Sequence, residues 1–163
     1  MDAIDREIVR LLRANGRINQ ESVAREVRLS RPAVHERIKR LEGSGVIRGY
    51  EALVDWVALG LPVTAFVWAR TSGQTRCRDA GPALMELSGD GAVVEECHSV
   101  TGEWCLLLKV RAASPSALQD LIDAARDAPG VEATMTTVAL STVGENGRLL
   151  DGRPGRDRDG TPS

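Results

Sequence analysis

The sequence predicts an α+β protein in which a small helical domain precedes a larger domain of strands and helices. Apolar residues recur at helical spacing in three stretches within the first 43 residues. From residue 62 onward, β-rich runs alternate with helical ones. Charge divides near the same place: residues 1–50 carry 11 Lys and Arg against 7 Asp and Glu, a net +4, whereas residues 51–143 carry 6 against 12, a net −6. We therefore expect a basic domain at 1–50, a hinge at 51–61 and an acidic domain at 62–143.

Polar capping residues mark the starts of three short helices in the basic domain. Asp2 is expected to cap the first helix, which should close in a left-handed residue at Asn15-Gly16. Asn19 is expected to cap the second helix. Ser30 is expected to cap the third, with Pro32 tolerated in its first turn.

Only Arg28 and Leu29 separate the second helix from the third, which predicts a helix-turn-helix. In that motif the first of the two helices supports the second, and the second enters the DNA major groove. The run "VIRGYEALVD" at 46–55 alternates enough to predict a β-hairpin turning near Arg48-Gly49. The basic domain is therefore predicted to be a winged helix-turn-helix.

The third helix, within "LSRPAVHERIKRL" at 29–41, carries the candidate DNA contacts. Its apolar positions, Val34, Ile38 and Leu41, are expected to face the core. Base edges favour short or forked side chains near the start of the helix, whereas long cations suit phosphates. The base-reading candidates are Ser30, Arg31, Pro32, Ala33 and His35, and the phosphate-binding candidates are Arg37, Lys39, Arg40 and Arg48. The alternative is a solvated helix face whose arginines pair with Glu36 and Glu42.

The acidic domain has the order βαββαβ. Strand-like runs at 62–70, "AVVEECHSV", "EWCLLLKVR" and 131–143 are separated by a helix near 77–88, a turn at Thr101-Gly102 and a helix opened by Ser114-Pro115. This order predicts a ferredoxin-like (ACT-like) domain, with four antiparallel strands and both helices on one face.

The other face of this sheet is expected to need a cover. The strands at 62–70 and 131–143 are too apolar to leave one face in water, with Ala65, Val67 and Leu140 among their residues, so a second subunit is expected there. The tail at 144–163, with five glycines and two prolines, is expected to be disordered.

Composition argues against several classes of protein. No apolar run approaches the ~20 residues of a membrane helix, and the N-terminus is acidic where a signal peptide would be basic, which predicts a cytoplasmic protein. Three cysteines without a CxxC pair predict reduced thiols rather than a disulfide or a metal site. Neighbours on a strand point to opposite faces, so Cys97 and His98 form no dyad unless the strand bulges. We expect no enzyme activity, no metal and no cofactor.

The chain resembles the Lrp/AsnC, or feast/famine, transcriptional regulators over residues 2–143. The motifs that carry the resemblance are "DxxDRxIVxLLRxNGRI" at 2–18, "LSRPAVHERIKRLEGSGVIRGY" at 29–50, "ECHSVTGEWCLLLKV" around Cys97 and "PGVEATMTTVAL" before the tail. The resemblance implies a winged helix-turn-helix, a ligand-responsive βαββαβ domain, dimers that assemble further, and an amino acid or related small molecule bound between dimers.

The same resemblance implies an effector site at the loop around "SVTGEW". Its candidate residues are Ser99, Thr101, Gly102, Glu103, Trp104 and, on the last strand, Thr136. Two positions depart from the family pattern: Arg28 replaces a glycine in the helix-turn-helix turn, and Cys105 replaces an acid that could bind an ammonium group. Three hypotheses stay open: a regulator with an effector, an amino-acid sensor whose helix-turn-helix contacts protein, and an architectural DNA-binding protein that ignores small molecules.

Overall fold

The computed structural model describes residues 1–150 except Gln74 and Asp90. The chain divides into two compact units, Met1–Leu53 and Val54–Ser163, and the division falls within the expected hinge at 51–61. No helix among the described residues is long and apolar enough to cross a membrane.

The N-terminal unit contains three helices, α1 (Ala3–Ala14), α2 (Gln20–Val27) and α3 (Arg31–Gly43). All three expected N-caps are present: the side chains of Asp2, Asn19 and Ser30 each accept a backbone N–H one turn into their helix. The expected left-handed closure of α1 is wrong, because Asn15 is extended (φ −149°). The core of this unit consists of Ile8, Val23, Ala24, Val34, Ile38 and Leu41.

The expected β-hairpin near Arg48-Gly49 is absent, since the described chain contains no strand between α3 and residue 63. Two strands alone gain little stability in water. The chain instead leaves α3 through Gly45 in a left-handed conformation (φ +73°), and the Tyr50 hydroxyl donates to Glu42 at 2.8 Å. The segment that was expected to form a wing thus follows the helical unit as irregular chain.

The main sheet and helices of the C-terminal unit follow the predicted βαββαβ order, with one further two-residue strand in the sheet. Its elements are β1 (Val63–Thr71), α4 (Cys77–Met85), β2 (Ser88–Gly89), β3 (Ala92–Ser99), β4 (Leu106–Ala112), α5 (Pro115–Asp127) and β5 (Val131–Val138). The strands are hydrogen-bonded in the order β2-β3-β4-β1-β5, and every pair is antiparallel. This arrangement confirms the ferredoxin-like prediction.

Both helices cover one face of the sheet, and the opposite face carries exposed apolar side chains. Ala65 and Val67 were expected on the open face, but both are fully buried with residues of α4 and α5 in one core cluster. The alternation of β1 turns Phe66 and Trp68 the other way, and Trp68 lies opposite Leu107 of β4 and Met135 of β5. The open face therefore carries exposed apolar side chains, as expected, but Ala65 and Val67 are not among them.

The expectation of disorder from residue 144 is wrong for its first part. Strands β6 (Gly144–Glu145) and β7 (Arg148–Leu149) form a hairpin around Asn146 and Gly147, which have φ values of +51° and +73°. Asn-Gly is the favoured pair for such a two-residue turn. Glu145 anchors the hairpin through ion pairs to Lys109 and Arg111. Residues 151–163 lie outside the described part of the chain.

The expectation of three reduced thiols is also wrong. Cys77, the first residue of α4, forms a disulfide with Cys105, which directly precedes β4, at a Cα–Cα distance of 5.9 Å. Cys97 is the free cysteine. The two bonded cysteines are 28 residues apart, so their spacing carries no local signal of pairing.

Candidate functional site

Helix α3 is held by the geometry expected of a helix-turn-helix. Arg28 closes α2 in the left-handed region (φ +54°, ψ +45°), and the N–H of Leu29 donates to Ala24 O at 3.0 Å. The chain then enters α3 directly, with Ser30 Oγ accepting from Ala33 N. Arg28 thus keeps the tight turn despite its side chain, at a cost on the order of 1 kcal/mol relative to glycine.

The start of α3 presents the expected base-reading residues to solvent. Val34, Ile38 and Leu41 are buried, as predicted. The residues of the opposite face are exposed or, for Ala33, half-buried: Ser30, Arg31, Pro32, Ala33, His35, Lys39 and Arg40. Arg31, Lys39 and the exposed Arg48 make no ion pair with any residue that the structure describes. These three cations are therefore available to an external anion.

Arg37 is not available in the same way, which revises its expected role as a phosphate contact. Its Nη1 donates to carboxylate oxygens of both Asp2 and Asp5 at 2.7 Å, and its side chain is 24% exposed. Arg40, at 62% exposure, also pairs with Asp5 but leaves most of its surface open. Arg37 therefore joins α3 to α1. Arg40 also contacts α1, through Asp5, but most of its side chain remains open to solvent.

The same network keeps the two carboxylates ionised. The hydrogen bond from Arg37, followed by one from the Asp5 backbone, lowers the pKa of Asp2 to about 2. The backbone N–H of Asp2 lowers the pKa of Asp5, with burial opposing the change. The expected alternative, in which the α3 arginines pair with Glu36 and Glu42, is not the arrangement observed, since the acids come from α1.

His35 faces the outside of the motif, next to α2. Its Nδ1 lies 3.3 Å from Gln20 Nε2, so the ring is oriented by a side chain of the supporting helix. A shallow cavity of about 200 Å³ opens beside it, with Lys39, Glu42 and Tyr50 on its polar side. His35 is thus positioned by α2 and remains exposed.

The candidate effector loop connects β3 to β4. Ser99, Thr101, Gly102 and Glu103 are exposed, and Trp104 is half-buried. Arg70 of β1 orders the tip: its Nη1 donates to Glu103 at 2.6 Å, and its guanidinium carbon lies 5.7 Å from the centre of the Trp104 ring. Glu132 of β5 also pairs with Arg70, at 3.4 Å. The loop therefore presents one acid whose charge is matched by an arginine that the sequence analysis did not identify.

Thr136 does not join this group within one chain. It lies opposite Val67 in the β1–β5 register, and Val67 points into the helix-covered core. Arg70 points to the other face, opposite Ala133. The residues proposed for one effector site are thus divided between the two faces of the sheet.

A buried charge cluster on the open face was also missed from the sequence. Arg111 is 4% exposed, donates to Thr64 Oγ1 at 2.6 Å, and pairs with Glu95 and Glu145. A bulge between Val94 and Glu96 lets both Glu95 and Glu96 reach Lys109, at 3.3 and 3.5 Å. The bulge thus brings two neighbouring carboxylates together, although adjacent residues of a regular strand point to opposite faces. Both carboxylates are engaged by cations, so the cluster stabilises the sheet and its hairpin.

Charge pairing also sets the pKa of Lys109. Burial alone would lower that pKa, but hydrogen bonds and charge attraction from Glu145 and Glu95 raise it above its usual value. The Trp56 ring covers the guanidinium of Arg111, with 5.2 Å between Cζ and the ring centre. The hinge residue Trp56 is thereby attached to the C-terminal unit.

Each unit matches a known protein family. Residues 1–48 match the family described as winged helix-turn-helix DNA-binding. Residues 64–149 match the Lrp/AsnC ligand binding domain, which covers more than half of the chain.

Similar proteins span almost the whole chain. The HTH-type transcriptional regulator LrpA of Mycobacterium tuberculosis is 40% identical over 142 residues, which is 87% of this chain and 91% of that protein. LrpC of Bacillus subtilis is 32% identical over 151 residues, covering 91% and 98%. A solved structure of a feast or famine regulatory protein from M. tuberculosis in complex with L-methionine superposes with a TM-score of 0.81, at 37% identity, covering 90% of this chain and 97% of that one. The chain belongs to the Lrp/AsnC family of DNA-binding transcriptional regulators.

Proposed function

We propose that α3 reads a specific DNA sequence in the major groove and that the protein does so as a homodimer or larger homo-oligomer. The observation that carries the proposal is the exposed start of α3, which places a forked cation and small apolar side chains together on a helix supported by α2. Because the target is chromosomal DNA, we assign the protein to the cytoplasm. The role is regulatory rather than enzymatic.

The contacts divide by chemistry. Arg31 can donate to a guanine edge through two N–H groups, and Pro32 or Ala33 can contact a thymine methyl. Ser30 and His35 complete the base-reading set. Lys39, Arg40 and Arg48 bind phosphates, whereas Arg37 positions α3 against α1.

A second copy of the chain is the proposed cover of the open sheet face. Phe66 and Met135 are 36% and 43% exposed there, beside Trp68 and Leu107. A twofold dimer formed through this face would present two α3 helices, which in helix-turn-helix dimers enter major grooves about 34 Å apart. The expected operator is therefore a pseudo-palindrome.

An amino acid or a related small molecule is the proposed effector, bound near Ser99–Trp104. The support is a solved structure of a relative, 37% identical to this chain, in complex with L-methionine. The exposed Gly102 and Thr101 offer backbone N–H groups to a carboxylate, and Glu103 offers an oxygen to an ammonium. Thr136 would join the site only from another chain. The alternative is an architectural DNA-binding protein without an effector, which the cysteine at 105 favours.

Selection of genomic DNA tests the DNA-binding proposal. Fragments retained by the protein at near-physiological salt are sequenced, and a shared motif with half-sites centred about 10 base pairs apart is expected. Retention of DNA without an enriched motif would contradict sequence-specific reading and support the architectural alternative.

Sedimentation tests the dimer. Phe66→Glu together with Met135→Glu should shift the protein toward monomer, because two charges would be buried in the interface. Ser116→Glu, at an exposed position in the first turn of α5, is the control and should sediment like the unmodified protein. An unchanged assembly in the double variant would contradict the proposed interface.

A thermal-shift screen with the twenty amino acids tests the effector. A ligand that binds the native state raises the unfolding temperature by mass action. No shift with any amino acid would count against this part of the proposal and leave the DNA-binding part intact.

A further inference from the structure

The disulfide between Cys77 and Cys105 lies at the base of the candidate effector loop. Cys105 follows Trp104 directly, and its carbonyl accepts the N–H of Val100 at 2.9 Å, which closes the loop. Cys77 begins α4 on the helix-covered side of the sheet. The disulfide therefore ties the loop to the helical layer by a covalent bond.

We propose that Cys77 and Cys105 form a reversible thiol–disulfide switch that sets the order of loop 100–105. The proposal rests on the proposed function in one respect, since it takes this loop to be the effector site. A protein that acts on chromosomal DNA works in a reducing compartment, where disulfides are more often transient and redox-sensing than structural. A disulfide next to a ligand loop in such a protein is therefore assigned a regulatory role.

The surroundings of Cys77 suit it to be the attacking thiolate. It is the first residue of the nine-residue helix α4, and Arg76 and Arg78 flank it. The N-cap side chain makes no capping hydrogen bond, and the positive end of the helix dipole favours a negative charge at this position. Thr71 Oγ1 lies 3.5 Å from Cys77 Sγ and 3.6 Å from Cys105 Sγ, within reach of either sulfur.

Cys77 and Cys105 are accessible to reagents in solution, whereas Cys97 is expected to react less and serves as a control. Cys77 and Cys105 are both half-buried, which leaves part of each residue exposed to an oxidant or a reductant. Burial raises the pKa of Cys97, which lowers its thiolate fraction at neutral pH. A mild oxidant should therefore act on Cys77 and Cys105 and spare Cys97.

A peroxide is the oxidant and a dithiol is the reductant. The Cys77 thiolate attacks one peroxide oxygen, an S–O bond forms and the O–O bond breaks, and the leaving hydroxide takes up a proton as water. The Cys105 thiol then attacks the sulfenic sulfur, so the S–S bond forms and a second water leaves. Two thiols and one hydrogen peroxide thus become one disulfide and two waters. In the reverse direction a dithiol reduces the bond through a mixed disulfide and is itself oxidised.

Reduction removes the covalent anchor and leaves the loop with noncovalent ones. Arg70 holds Glu103 and Trp104, but the Glu103 side chain is 67% exposed, so this ion pair is weak. A ligand that binds the reduced loop must order it at the expense of its own binding energy. We expect L-methionine, used as the probe, to bind the reduced protein at least about fivefold more weakly than the oxidised protein.

Hydrogen exchange with peptide-level mass spectrometry tests the switch without any ligand. Counting with a thiol reagent should find three thiols in the reduced protein and one after treatment with hydrogen peroxide. Amides in 100–106 should exchange about tenfold more slowly in the oxidised protein than in the reduced one. Cys77→Ser and Cys105→Ser should show the reduced pattern after either treatment, whereas Cys97→Ser should behave like the unmodified protein.

Two results would overturn the proposal: three thiols that persist after peroxide treatment, or exchange in 100–106 that is the same in both redox states. DNA binding measured on the same samples separates this proposal from the proposed function. Loss of DNA binding in both states, with redox-dependent exchange, would contradict the regulator and support the switch. Normal DNA binding with redox-independent exchange would support the regulator and contradict the switch.

Discussion

Single residues hold helix α3 in place, and the residue in the turn before it, Arg28, can be tested directly. It adopts φ +54° and ψ +45° in the turn before α3, a conformation that costs little only for glycine. We expect Arg28→Gly to be more stable than Arg28→Ala by about 1 kcal/mol, because alanine keeps the strained conformation. Urea unfolding of the two variants measures the difference. Equal stabilities would show that the turn is not strained by a side chain.

Also at this scale, Asp2 makes stability depend on pH. Its pKa falls from 3.8 to about 2 on folding, chiefly through Arg37, so its contribution is present above pH 4 and lost as the pH falls toward 2. We expect Asp2→Asn to be less stable than the unmodified protein at pH 5, and the difference to shrink by pH 2.5. Thermal unfolding at the two values checks this. Asp120→Asn, at an exposed position in α5, is the control. A difference that stays constant with pH would contradict the role of Asp2.

Arg37 also shows what residue-level sequence analysis could and could not predict. The period of the helix correctly predicts that Val34, Ile38 and Leu41 are buried. Arg37 lies on the flank of that stripe, and only the packing of α1 against α3 brings Asp2 and Asp5 to its guanidinium. Its partners are more than 30 residues away in the chain, so periodicity carries no information about them.

At the scale of elements, the hairpin β6–β7 depends on one buried anchor. Glu145 pairs with Lys109 and with Arg111, which is 4% exposed. We expect Glu145→Gln to lower the free energy of unfolding by about 1–3 kcal/mol, because two cations lose a charged acceptor. Urea unfolding measures it, with the exposed Glu86→Gln as the control. A loss equal to that of the control would mean that the hairpin is not anchored by this residue.

The elements also differ in how well the sequence predicts them. Helix starts depend on one capping residue and its neighbours, so Asp2, Asn19 and Ser30 were sufficient. The hairpin at 144–149 has a local signal in Asn146-Gly147, but the glycine and proline content of the whole tail outweighed it. The prediction of a wing at 46–55 is wrong although its local signal is present. Its alternating pattern has no neighbouring strand to pair with in the described chain.

For the whole molecule, the division of charge predicts two domains, and two families match the corresponding parts of the chain: a DNA-binding family at 1–48 and a ligand-binding family at 64–149. The sequence could not predict the link between Cys77 and Cys105, because a disulfide depends on two distant segments that only the folded sheet brings to 5.9 Å. The acidic half thus contains a covalent connection beside the loop at which a signal is proposed to bind.

The central claim is that the exposed face of α3 binds DNA, with Arg31 reading bases and Lys39 binding phosphate. Affinity for the selected operator and for unrelated DNA, measured by fluorescence anisotropy over a range of salt, tests it most directly. Lys39→Ala should weaken both complexes alike and reduce the salt slope by about 0.9. Arg31→Ala should weaken the operator complex by about 1–3 kcal/mol more than the unrelated one. Arg13→Ala, which removes an exposed charge from α1, should change neither. Unchanged affinities and slopes in both α3 variants would contradict the claim.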